Sequence, residues 1–175
     1  CPETGPILKW IPQHPCWDST KFDKKMNSGI LISFRYSDEH LIQLEISASN
    51  GAFSGICEPY FNQESLRETS RVLTAFPSTP RDEYIFTFSE AQQISFLRFF
   101  VKDGRGRIGI ECQLHGGSAD YQALANFFVF TEVAQVNQAG LGLSKLVEDE
   151  ETDVFIRQEN WNSNHLIDPT RYAQG

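Results

Sequence analysis

Asp103-Gly104-Arg105-Gly106, set between two apolar runs, has the composition of a phosphate cradle. A phosphate-binding loop needs more than glycines, however. The Walker form requires a Gly-Lys-Ser/Thr ending between a strand and a helix, and the dinucleotide form also delivers its phosphate to a helix N-terminus. Here the glycines run at once into Arg107-Ile108-Gly109-Ile110, an alternating pattern. The loop therefore reads as the tip of a hairpin, with Asp-Gly supplying the positive φ of the turn.

Other groups are weaker candidates for chemistry. Cys112 and His115 have the residue types of a thiol–imidazole pair. Three-residue spacing on a strand sends them to opposite faces, and Cys112 falls in the apolar row, as a core thiol would. His14 and Cys16 can share a face beside prolines, but a zinc site needs two further ligands of known spacing. His40 and His165 lie in polar, loop-like surroundings. Glu45 and Glu111 could serve as general acid and base across one face; the plainer reading makes both exposed positions on a wet sheet face. No G-x-S-x-G, H-E-x-x-H or Asp-rich calcium loop is present, so neither a catalytic set, a metal nor a cofactor is expected. The run Glu148-Asp149-Glu150-Glu151 opposes the macrodipole at a helix C-terminus. It is either a solvated end or an electrostatic contact for a basic partner.

The elements that would position these residues are legible. Residues 1–28 carry Pro2, Pro6, Pro12 and Pro15 and read as an extended lead-in. From Gly29, Ile30, Ile32, Phe34 and Tyr36 alternate with polar and apolar neighbours up to Ser37. Ile42, Leu44, Ile46 and Ala48 form a half-buried strand, and Asn50-Gly51 predicts a hairpin into a third strand over Ala52–Pro59. Asn62 is a good N-cap for a helix, with Phe61 and Leu66 as its hydrophobic staple, one face of Leu66, Thr69, Leu73 and Phe76, and a stop at Pro77. Four strands follow. They carry Tyr84, Phe86 and Phe88, then the pair flanking Asp103–Gly106, then Ala123–Glu132, which is apolar on both faces and reads as central. Glu132 to about Val147 is spaced as a helix, although Gly140 and Gly142 each weaken it by about 1 kcal/mol. The order is βββα-ββββ-α. It predicts an α+β fold: one antiparallel sheet of six or seven strands with two helices on one face. The core domain is 29–147, followed by an acidic polar tail over 148–175.

With 175 residues, 40% hydrophobic and 22% charged, the chain suits one domain with a real core, and its 14 phenylalanines suit packed strands. The net charge is −8, of which residues 148–175 carry −5 (seven acids, two bases). Such a balance disfavours nucleic acid, whose phosphates need cationic neutralisation, and favours a basic protein partner. No apolar run is long enough to span a membrane. Four cysteines without a C-x-x-C pair fit reduced thiols in a cytoplasm. The start at Cys1 rather than Met means that something upstream has been removed or is not represented; a cleaved lipoprotein also begins with Cys.

Three segments in this order carry a family resemblance. They are "LIQLEISASNGAFSGICEPYF", the Asp-Gly-Arg-Gly turn into "IGIECQL", and "FFVFTEVAQVNQAGLGLSKL", a strand feeding straight into a helix. The order resembles the WapI family of bacterial immunity proteins and related small domains of unknown function, over roughly Gly29 to Val147. The resemblance implies a small cytoplasmic protein that binds the effector domain of a cognate polymorphic toxin, commonly a nuclease, and blocks it without catalysis. It transfers no binding residues. From their charge and residue type, Glu45, Glu111, Glu148, Asp149, Glu150, Glu151 and Trp161 are the positions at which toxin contact is expected, with Tyr172 a further aromatic anchor. Two other classes stay open: an enzyme with a polar site in a sheet cleft, and an accessory binding domain of a larger protein.

Overall fold

Alternation in Ile42, Leu44, Ile46 and Ala48 commits one face of a strand to the core, and all four are buried. The computed structural model describes residues 28–90, 93–118, 121–149 and 153–159. In it that strand, β2 (Ile42–Ser49), lies beside β1 (Gly29–Ser37) in antiparallel register, with a bulge between Phe34 and Tyr36. β3 (Ser54–Cys57) and the two-residue β4 (Tyr60–Phe61) both pair with β2. Asn50-Gly51 does turn the chain, through a four-residue loop. The Asn50 side-chain oxygen accepts from the N–H groups of Ala52 and Phe53, and Gly51 takes φ +88°.

α1 (Gln63–Ala75) begins as its sequence predicts. Asn62 accepts from Ser65 N at 2.7 Å, and the staple residues Phe61 and Leu66 are both buried. Beyond it come β5 (Glu83–Glu90), β6 (Gln93–Val101), β7 (Arg107–Ser118) and β8 (Tyr121–Glu132), each paired to the next. The Asp103–Gly106 loop is the β6–β7 hairpin tip: Asp103 Oδ1 accepts from Arg105 N, and the positive φ falls on Gly106 rather than Gly104. α2 (Val133–Asp149) then packs on α1, and β9 (Val154–Arg157) returns to pair with β1.

The architecture is α+β with two antiparallel sheets rather than one. The first has five strands in the order β3-β2-β1-β9, with β4 also on β2. The second is the four-strand meander β5-β6-β7-β8. The expected single sheet with one helical face is corrected on this point, because α1 separates two strand groups that, among the described residues, pair only within themselves. The strands that complete the first sheet are too short for periodicity to reveal. β9 moreover lies within the span read as a polar tail.

Inner faces of both sheets and both helices share one core that includes Ile30, Leu44, Leu66, Leu97, Phe99, Ile110 and Leu143. At one end the sheets meet directly: a Cβ on Gly55 would sit 2.8 Å from that of Ala125. The helices touch at Gly140, where an added Cβ would lie 2.4 Å from Thr74 N. Ser70 Oγ donates to Gly140 O at 2.7 Å across the same contact. A glycine that weakens the isolated helix thus permits the close crossing. Among the described residues, no helix is long and apolar enough to cross a membrane.

Candidate functional site

The second sheet turns its odd-numbered β5 and β7 residues and its even-numbered β6 and β8 residues away from the core. Cross-strand registers then fix which of these side chains meet. Ile85, Arg98, Glu111 and Phe128 form one row, and Glu83, Phe100, Gly109 and Phe130 form the next. Arg98 holds the two rows together. Its Nη2 donates to Glu111 Oε2 at 2.6 Å, its Nη1 lies 3.7 Å from Glu83, and its guanidinium sits 5.6 Å from the Phe100 ring centre.

The aromatic half is built around a glycine. A Cβ on Gly109 would fall 2.2 Å from the Phe100 ring, so the ring lies across the position a side chain would fill. Phe128 meets Phe100 edge-on at 6.1 Å and stacks parallel to Phe130 at 6.3 Å, while Lys102 Nζ lies 3.8 Å from the Phe130 ring centre. Beyond this cluster the face mixes the polar Thr87, Gln113, His115 and Asn126 with exposed apolar side chains. Ile85, Ile94, Leu124 and Phe128 are 49%, 58%, 59% and 42% exposed, far more than core-forming side chains would be.

The β8 strand is apolar on both sides because of this cluster, not because it is central. It is an edge strand of its sheet. Two of its outward carbonyls are nevertheless occupied. Asn50 Nδ2 donates to Phe128 O at 3.3 Å, and Glu159 N donates to Phe130 O at 2.9 Å.

The sequence-selected acids do not converge. Glu111 belongs to the second sheet and bonds Arg98, whereas Glu45 belongs to the first and bonds Arg35, so they share no face and cannot act as one acid–base pair. Glu148 and Asp149 are exposed at the end of α2, and Glu150, Glu151, Trp161 and Tyr172 lie outside the described residues. Glu45 does have aromatic company on its own sheet. Tyr36, Gln43 and Tyr60 occupy one cross-strand row, adjacent to the Ser33–Glu45 pair, and both tyrosines are more than half exposed. Sequence reasoning missed this row because β4 is only two residues long. It missed the Phe100–Phe128–Phe130 cluster because adjacency there depends on register across three strands.

Electrostatic perturbation is local and structural. Asp38 is held below its ordinary pKa by the N–H groups of His40 and Leu41. Asp82 is held low by the hydroxyl and N–H of Thr79, with Ser78 N assisting. Burial pushes the Cys112 thiol upward, and its neighbour Glu111 adds to this. Cys112 faces the core while His115 lies in the outer row, as their spacing required. Among the described residues, no cluster of three or more His, Cys, Asp or Glu side chains could hold a metal ion. The chain matches no family model, no curated protein and no solved structure.

Proposed function

We propose that this chain is a binding protein of the immunity type its sequence resembles, which neutralises a bacterial toxin by covering the effector domain without turnover. The carrying observation is the outer face of the second sheet. There Ile85, Ile94, Leu124 and Phe128 stand exposed around the Glu83–Arg98–Glu111 group and the Phe100–Phe128–Phe130 cluster. Exposed apolar and aromatic side chains beside an arginine are the composition of protein interfaces, where such anchors carry most of the binding energy. The chain's −8 charge suits a basic effector, as in a nuclease groove, by steering its approach.

The test is capture of the neighbouring gene's product by this chain at low and high salt. Binding weakened by salt, and weakened at least tenfold by Phe128→Ala, is the result expected of this face. A product not captured at either salt would sink the reading for that neighbour.

A further inference from the structure

The two long edges of the second sheet are treated differently. Val101 N donates to Asp82 O, which makes Asp82–Val101 a hydrogen-bonded pair. Alternation along an antiparallel ladder then turns the N–H and C=O of Tyr84, Phe86 and Phe88 toward β6, and those of Glu83, Ile85, Thr87 and Ser89 away from it. The same alternation turns the backbone of Phe128 and Phe130 outward from β8, where Asn50 and Glu159 cap both carbonyls. Among the described residues, β6 is the strand paired with β5, and the pairing runs through all eight positions without a bulge. An edge of this length without a bulge or a proline is a template for another strand.

From this contrast we infer that β5 accepts an extended segment of the partner as a further strand of the second sheet. The inference rests on the partner-binding reading above, in that the segment belongs to the toxin. Main-chain bonds to Glu83, Ile85, Thr87 and Ser89 supply affinity, and alternate side chains supply selectivity. The neighbours define the segment's chemistry. Exposed Ile85 and Thr87 call for β-branched or hydroxyl residues opposite them, and Glu83 calls for a Lys or Arg. A second copy of this chain is a poorer occupant. The two-fold register that matches outer faces over the strand (residue numbers summing to 172) sets Glu83 of each copy opposite Ser89 of the other, so neither glutamate meets a cation.

The probe is a ten-residue synthetic peptide alternating valine and threonine with lysine at both ends, titrated into the full chain and followed by amide exchange. Slowing of at least tenfold at Ile85, Thr87 and Ser89 is the expected result, and it should vanish in Thr87→Pro. That substitution removes an outward N–H while leaving the ladder to β6, so protected amides at Tyr84, Phe86 and Phe88 report that the variant is folded. Glu83→Lys is the second variant: it should shift preference to a peptide with glutamate at both ends. Absent slowing, slowing confined to other elements, or indifference to both substitutions would overturn the inference. A toxin captured equally by the parent and Thr87→Pro chains overturns it too while leaving the immunity reading intact. A toxin captured by neither chain counts against that reading, and the peptide result then decides on β5.

Discussion

Replacing Gly140 with alanine sets two physical effects against each other, and they differ in sign. In an isolated helix the change is favourable by about 1 kcal/mol, since alanine loses less backbone entropy and shields the backbone better. In this fold the new methyl would lie 2.4 Å from Thr74 N, 2.6 Å from Thr74 Oγ1 and 2.9 Å from Leu73 C. Two of these atoms are backbone, so relief requires α1 and α2 to separate. Overpacking of this kind costs about 1–3 kcal/mol. Separation also stretches the buried Ser70 Oγ–Gly140 O bond, worth roughly 1 kcal/mol. Packing therefore wins, with a net loss of about 1–3 kcal/mol and a fall in Tm of roughly 3–10 °C for a chain this size. Gly142→Ala is the internal control, because the three atoms nearest its methyl, the first at 3.1 Å, all belong to the Val154 side chain. Thermal and urea unfolding of the three proteins measures the effect. A Gly140→Ala protein as stable as the parent, or more so, would refute the close helix crossing.

Two further outcomes follow from the perturbed groups. Asp82 has a folded-state pKa below its unfolded value, so its contribution is present above the unfolded pKa of about 4 and is lost as pH falls through the lower folded value. Urea midpoints for Asp82→Asn should accordingly decline less steeply than the parent's on acidification; parallel curves would show the Ser78–Thr79 bonds to be without consequence. Cys112 has the opposite displacement. Its folded form keeps the proton, so stability declines as pH rises above the unfolded thiol value of about 8.5. Iodoacetamide at that pH should label Cys112 in urea and spare it in the folded chain, and rapid labelling of the folded chain would contradict its burial.

What the sequence revealed was whatever depends on near neighbours along the chain. Asn62 announced the start of α1 through cap chemistry, and Ile108, Ile110, Cys112 and Leu114 announced the core face of β7 through alternation. Both are present in the structure. What stayed hidden depends on partners distant in sequence. Two-residue β4 and four-residue β9 are too short to carry a period, and each owes its existence to a strand far away, β2 or β1. The apolar β8 imitates a central strand because Phe128 and Phe130 pack among aromatics on the outside of the sheet. Glu45 and Glu111 looked like companions because both alternate with apolar residues. Nothing local to either strand records that they belong to different sheets. The Phe100–Gly109 contact is of the same kind: a glycine in a strand hints at close approach, but only register names the ring that approaches.

The pairing of β9 with β1 also bears on how the protein is made. Ile30 and Ile32 leave the ribosome early, but their cross-strand partners Ile156 and Val154 follow more than a hundred residues later. Until then β1 lacks β9 beside it, during the same interval in which the β5–β8 meander can zip from neighbour to neighbour. Nascent chains halted before residue 154 should therefore hold the second sheet formed and the first sheet unsealed. The growing protein passes through a stage at which β1, made before every other described strand, is among the last to be closed.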